Sequence, residues 1–151
     1  MIGPNLLQLV VDASNDGIVI AEQEGSDNIL IYVNPAFERM TGYSAEEILY
    51  RDCRFLQNGQ AEEAIRQKVR DAIDTGQPCR QIMRNFRKDG SEFWNELSIA
   101  AVHNDGDGRR YFIGIQKDVT AQVAGQERIM QLEAELAAAR QEIVRLKDAE
   151  R

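Results

Sequence analysis

Alternating apolar and polar positions divide the first third of the chain into short elements. Residues 5–12 (NLLQLVVD) predict a short apolar helix, and residues 17–22 and 29–33 predict two strands around a polar turn. Asn34 begins a further short helix, because Asn is a favourable N-cap and the proline that follows it suits the first helical position. Gly42 predicts the end of that helix.

Helix and turn signals continue through the middle of the chain. Residues 44–47 (SAEE) match a capping box and predict another short helix, and residues 61–74 predict a longer one that ends before Gly76. Three strands joined by glycine-containing turns follow, with predicted bounds at 80–87, 92–103 and 110–118. This order of elements predicts an α+β fold, in which helices cover one face of a five-stranded antiparallel sheet.

The last part of the chain has a different composition. Residues 119–151 contain no proline and are rich in Ala, Glu, Arg and Leu, which predicts a long helix outside the sheet. We therefore expect three parts: an N-terminal helical cap at 1–16, a core at 17–118 and a C-terminal helix at 119–151.

This C-terminal segment carries apolar residues at alternating spacings of three and four. The heptad positions a and d are occupied by Ile129, Leu132, Leu136, Ala139, Ile143 and Leu146. Isoleucine at a and leucine at d favour a parallel two-stranded coiled coil, and the flanking g–e pairs of that arrangement are all opposite in charge. We expect a homodimer through this helix, assisted by the apolar N-terminal helix. The alternative is one helix that folds back and buries the same stripe on its own sheet.

Composition and charge exclude several classes of function. Hydrophobic residues make up 43% of the 151 residues and charged residues 28%, as in an ordinary globular domain. A net charge of −7 argues against a sequence-independent grip on nucleic acid. No apolar run approaches the ~20 residues that cross a membrane, and we see no signal peptide, so we expect a cytoplasmic location. The two cysteines and the single histidine lack a metal-ligand spacing.

One face of the three C-terminal strands combines side-chain amides with apolar neighbours. It comprises Met83, Asn85, Asn95, Leu97, Ile99, Ala101, Phe112, Gly114 and Gln116. A buried amide needs partners, since an unpaired one costs about 1–3 kcal/mol, and other amides, backbone or water are the usual ones. Three amides on one face favour a planar ligand whose edge both donates and accepts, as the pyrimidine edge of a flavin does. Gly114 leaves room for a flat ring to approach.

Three arginines lie close to this face in the predicted fold. Val69 and Ile73 recur at helical spacing on the 61–74 helix and are predicted to wall a ligand, while Arg66 and Arg70 lie one turn apart on it. Arg54 precedes the helix in a predicted loop. Together these guanidinium groups suit a phosphate; the alternative is that each is a solvated surface side chain.

Four short motifs, in one order, resemble those of a known family. They are DCRFLQ at 52–57, NFRKDG at 85–90, FWN at 93–95 and FIGIQKD at 112–118. Together they resemble the motifs of light-oxygen-voltage (LOV) domains over residues 17–120. The resemblance implies a PAS-type fold, bound flavin mononucleotide (FMN) and, as for short bacterial members, a sensor core with flanking helices. The signalling protein downstream is not identified by the sequence.

The resemblance also implies roles for individual residues. Cys53 is the photoreactive thiol, which bonds reversibly to the C(4a) carbon of the flavin after blue light. Gln57, Asn85 and Asn95 match positions that hydrogen-bond the flavin, and Arg54 and Arg70 match phosphate contacts. Gln116 matches a glutamine near the flavin N5 and O4 atoms, whose amide rotates when N5 is protonated and so passes the change to the C-terminal helix.

One departure from the motif and two alternative functions stay open. Asp52 replaces the usual asparagine of the cysteine motif, so we expect a weakened or rearranged ring contact there. A PAS-type redox or small-ligand sensor would use the flavin without photochemistry. An enzyme with Cys53 as nucleophile is less favoured, because the single histidine, His103, lies at the far end of a predicted strand.

Overall fold

In the computed structural model, which describes residues 1–151, five antiparallel strands form one sheet. In chain order the elements are α1 (Pro4–Asp12), β1 (Gly17–Glu24), β2 (Asp27–Val33), α2 (Pro35–Thr41), α3 (Ala45–Ile48), a 3₁₀ helix (Cys53–Gln57), α4 (Glu63–Thr75), β3 (Cys79–Phe86), β4 (Glu92–His103), β5 (Arg110–Asp118) and α5 (Thr120–Ala149). The strand order across the sheet is β2-β1-β5-β4-β3. The predicted α+β fold is confirmed.

The middle of the sheet brings the first and last strands of the core together. β5 pairs with β1 on one side, where Val19 faces Gly114, and with β4 on the other, where Leu97 faces Gln116. Side chains alternate between the two faces of a strand, so the amides of β4 and β5 point to the same side as Val19. β5 is therefore the strand through which this face connects to the C-terminal helix.

A compact apolar cluster fixes the short helices beside the sheet. Its buried members from β1, β2, α2, α3 and the 3₁₀ helix are Val19, Ala21, Leu30, Val33, Phe37, Ile48 and Leu56. Burial of each such side chain stabilises the fold by roughly 1.5–3 kcal/mol relative to exposure. Leu56 anchors the 3₁₀ helix in this cluster, and that helix begins at Cys53.

Asn34 ties the N-terminal helix to the core. Its side chain is fully buried, accepts hydrogen bonds from Ile18 N and Phe37 N, and donates to the carbonyls of Val11 and Asp16. The predicted N-cap is therefore confirmed, and its amide also closes the end of α1, which the sequence pattern did not show.

Several predicted boundaries need correction. α4 begins at Glu63 rather than at residue 61, because no Ser, Thr, Asp or Asn is available as a cap there and Gly59 holds a left-handed φ of 68°. β3 spans Cys79–Phe86, one residue earlier than predicted, and the turn between β1 and β2 narrows to Gly25 and Ser26. The loop predicted around Arg54 is a 3₁₀ helix.

The chain divides into two compact units, Met1–Val119 and Thr120–Arg151. Val119, which the sequence pattern placed with the C-terminal helix, is only 3% exposed, and its N–H donates to Trp94 O at 2.8 Å. It therefore belongs to the core. No helix in the chain combines the length and apolar character needed to cross a membrane.

Candidate functional site

The covered face of the sheet, α4 and the 3₁₀ helix line one cavity of about 480 Å³. This volume lies within the range of about 300–1,000 Å³ that is typical of small-molecule sites. Cys53 and every residue that the sequence and the resemblance predicted to bind the flavin line the cavity. The structure thus brings the predicted set together around one space.

Asn95 is the centre of a buried amide cluster in the cavity wall. Its Nδ2 donates to Asn85 Oδ1 at 2.8 Å and to Gln116 Oε1 at 3.0 Å. The three side chains are between 1% and 5% exposed and come from β4, β3 and β5. The amides therefore do bond to each other, which was the alternative to a ligand. These hydrogen bonds do not, however, use every polar atom of the three side chains.

Two buried oxygens, which belong to residues that line the cavity, have no partner within the protein. They are Asn95 Oδ1, in the amide cluster, and Asn28 Oδ1, on β2. Leaving such an acceptor unpaired costs about 1–3 kcal/mol, so both atoms favour a ligand that brings N–H or O–H donors into the cavity. A flavin fits this requirement, because its ring carries an N–H on the pyrimidine edge and its ribityl chain carries hydroxyl groups.

Cys53 lies in the cavity wall at the start of the 3₁₀ helix. Burial of the thiol, and then the negative charge of Asp52, raise the pKa of Cys53 to about 11. The side chain therefore carries its proton at neutral pH and packs against the apolar cluster. This is the environment of a protonated thiol beside a ligand and not of an activated thiolate.

Each of the three arginines in the cavity wall already has a partner within the protein. Arg54 forms ion pairs with Asp52 and Asp27, and Arg66 Nη1 lies 3.2 Å from Glu63 Oε2. Arg70 differs, because Nη1 donates to a neutral amide, Gln67 Oε1, at 3.1 Å. The predicted cluster of arginines is present, with carboxylates close to two of its members.

Asp52 does not lie in the cavity wall. Its carboxylate caps the 3₁₀ helix by accepting from Arg54 N at 2.9 Å, and it also accepts from Asn28 N at 3.1 Å. Burial acts to raise its pKa, but hydrogen bonds from the Arg54 side chain and from backbone N–H groups outweigh it, so the pKa of Asp52 is lowered. This geometry therefore gives no support to a contact between residue 52 and a ring in the cavity.

Sequence reasoning missed part of the wall. The further lining residues are Val19, Ala21, Gln23, Gly25, Ser26, Asn28, Leu30, Phe37, Phe55, Leu56 and Asp74. Alternation along β1 was a usable signal for Val19 and Ala21, since strand residues two apart share a face. For Asn28 there was no local signal, because its place in the wall depends on the pairing of β2 with β1.

Comparison with known proteins identifies the family to which this chain belongs. Residues 15–121 match the family model of the PAS domain. A blue-light photoreceptor of Listeria monocytogenes is 40% identical over 112 residues, which cover 74% of this chain and 44% of that protein. The LOV domain of a blue-light activated histidine kinase of Erythrobacter litoralis is 36% identical with a TM-score of 0.64, covering 70% of this chain and 96% of that one.

A third similar structure is an RNA-binding light-oxygen-voltage receptor, with 38% identity, a TM-score of 0.79 and coverage of 89% of this chain and 38% of that one. This chain therefore belongs to the PAS domain family and, within it, to the light-oxygen-voltage class, whose chromophore is a flavin. It spans less than half the length of the curated relatives it matches.

Proposed function

We propose that this chain is a blue-light sensor that holds FMN in the cavity and bonds Cys53 reversibly to the flavin C(4a) carbon. The observation that carries the proposal is the position of a protonated, partly buried thiol in the wall of a cavity that a buried amide cluster also lines. A bound flavin supplies absorption of blue light and a ring carbon that accepts a thiol. The protein's own residues orient the ring and deliver the sulfur.

Cys53 provides both atoms that the reaction requires. With a flavin bound, its sulfur would form the new bond and its proton would move to the ring, so no separate base would be needed. The raised pKa keeps that proton on the thiol until light is absorbed. The same property disfavours a nucleophilic enzyme, because the thiolate is the reactive form of a catalytic cysteine, and His103 is exposed at the end of β4.

The amide cluster orients the ring and reports its state. Asn95, Asn85 and Gln57 would hold the polar edge of a bound ring. Gln116 would respond to protonation of the ring by rotating its amide, which exchanges donor and acceptor. That rotation breaks its bond from Asn95 Nδ2 and changes β5 two residues before the strand ends at Asp118.

An absorption spectrum tests the proposal directly. We expect purified protein to be yellow, to lose its blue absorption band on illumination with blue light, and to regain it in the dark. A colourless protein that stays so after reconstitution with FMN would contradict the flavin site. A yellow protein that does not respond to light would favour a redox or small-ligand sensor.

The pH dependence of the light reaction follows from the thiol. With the pKa of Cys53 raised to about 11, the thiol form predominates at every pH below that value. We expect the yield of light-induced bleaching to be constant between about pH 6 and about pH 9, across the ordinary pKa of a cysteine. Flash spectroscopy at several pH values measures it. A yield that fell steeply over this interval would show that the thiol titrates there.

Dimerisation through the helices at the two ends of the chain is the second part of the proposal. No residue of α5 is buried, and the side chains of its apolar seam are exposed by 46% to 57% in the single chain. α1 also has no buried residue, and Leu6, Leu7, Leu9 and Val10 are each more than half exposed. Exposed apolar stripes of this length favour association with a second copy.

Charge placed in the seam tests the dimer. Leu136→Lys combined with Ile143→Lys introduces two lysines at position a of each helix. We expect the dissociation constant of the dimer to rise by more than about tenfold, because a buried charge has no partner there. Gln141→Lys, on the outer face of the same helix, is the matched control. Light scattering gives the mass in dark and light. A double variant that kept the dimer mass would place the interface elsewhere.

A further inference from the structure

The wall of the cavity contains an arginine whose charge two carboxylates already neutralise. Arg54 lines the cavity, and its Nε and Nη2 atoms donate to Asp52 at 2.7 and 3.1 Å. Nη2 also donates to Asp27 Oδ1 at 3.0 Å. Two carboxylates thus hold the edge of the guanidinium that forms bidentate contacts with an oxyanion, and only Nη1 is left without a carboxylate.

Other charges around the cavity have the same effect. Arg66, which lines the cavity, pairs with Glu63, and Asp74 is a further carboxylate in the lining. Carboxylates therefore accompany the arginines that a phosphate requires. A flavin that carries a phosphate must compete with them, whereas riboflavin, which ends in a hydroxyl group, does not meet this competition.

We propose that Asp52 is a specificity-determining residue that holds Arg54 and thereby lowers the preference of the cavity for a phosphorylated flavin over riboflavin. The inference rests on the proposed flavin site and concerns the end of the ligand, away from the ring. It treats Asp52 as a positioning residue, since its carboxylate acts through Arg54 and does not line the cavity.

Replacing Asp52 by asparagine tests the negative charge of this residue separately from its role as a helix cap. Asp52 caps the 3₁₀ helix, accepts from Asn28 N and forms an isolated β-bridge with Ile29. Asparagine is an equally good cap and keeps one acceptor oxygen, so Asp52→Asn removes the charge and keeps the cap on Arg54 N, while an NH₂ group replaces the oxygen that accepts from Asn28 N. The ion pair is partly exposed, 59% at Arg54 and 23% at Asp52, so the expected effect is modest.

The experiment measures two dissociation constants on the full chain freed of flavin. Quenching of flavin fluorescence gives Kd for FMN and for riboflavin, and the ratio of riboflavin to FMN is the readout. We expect Asp52→Asn to raise this ratio by about three- to fivefold through tighter FMN binding, with riboflavin binding unchanged. Glu46→Gln, an exposed carboxylate outside the cavity wall, is the charge-matched control and should leave the ratio unchanged.

A double variant tests whether the effect passes through Arg54. In the Arg54→Gln background, adding Asp52→Asn should no longer change the ratio. An equal rise in that background, an unchanged ratio in Asp52→Asn, or a parallel change in both affinities would each overturn the proposal while leaving the flavin site intact. Failure of the unsubstituted chain to bind either flavin would overturn the flavin site, and this inference with it.

Discussion

Replacement of Cys53 by alanine is expected to abolish the light-induced loss of blue absorbance completely while the flavin stays bound. The reason is chemical, because the sulfur is the atom that forms the bond, whereas the proposed ring contacts are the amides of other lining residues. Removing the thiol also relieves no strain and leaves only a small gap, so the fold should persist. Absorption spectra before and during illumination measure the effect.

The second cysteine provides a matched control for this experiment. Cys79 begins β3 and does not line the cavity. Cys79→Ala should therefore bleach and recover as the unsubstituted protein does. Bleaching that survived in Cys53→Ala, or was lost in Cys79→Ala, would refute the assignment of Cys53 as the photoreactive thiol.

Gln116→Leu is expected to separate the light reaction from its effect on the C-terminal helix. Leucine can neither accept from Asn95 Nδ2 nor exchange a donor for an acceptor, so the bond at Cys53 should still form while β5 no longer responds to it. The loss of one acceptor in the amide cluster should also cost about 1–3 kcal/mol of stability. Loss of the blue absorption band measures formation of the bond at Cys53. Hydrogen exchange of residues 120–149, compared in dark and light, measures the response of the C-terminal helix.

A second amide in the wall serves as the control for this variant. Gln23 lines the same cavity, but it lies on β1, which does not continue into α5. Gln23→Leu should keep the light-dependent change in exchange. If the exchange of residues 120–149 still responded to light in Gln116→Leu, the signal would leave the cavity through another element.

Local patterns were sufficient wherever the structure is stabilised by neighbours in the sequence. The bounds predicted for β4 and β5 agree with the structure, because each strand is delimited by a glycine-containing turn or a change in pattern. The capping box at Ser44 and the N-cap at Asn34 are also present, since a cap depends on residues within one turn. The start of α4 had no such cap, and its prediction was two residues early.

The candidate site, too, has a part that local patterns predict and a part that depends on contacts between distant residues. The order of strands and the alternation of side chains already placed Asn85, Asn95 and Gln116 on one face. Helical spacing and the preceding loop indicated the arginines, and the motifs added Cys53 and Gln57. How the amides share their hydrogen bonds depends on the register of β3, β4 and β5, which pairs residues that lie 10 and 21 positions apart in the chain. Distances of that kind carry no local signal.

By itself, the sequence determined the class of fold, the face that bears the amides and the heptads of the tail, because periodicity and turn chemistry act over a few residues. Only the tertiary structure decided that Asp52 pairs with Arg54, which also bonds to Asp27, and does not line the cavity, and that Asn28 and Asn95, which do line it, each keep a buried oxygen without a partner. The physical reason is that a side chain's partner is set by strands and helices brought together from distant parts of the chain.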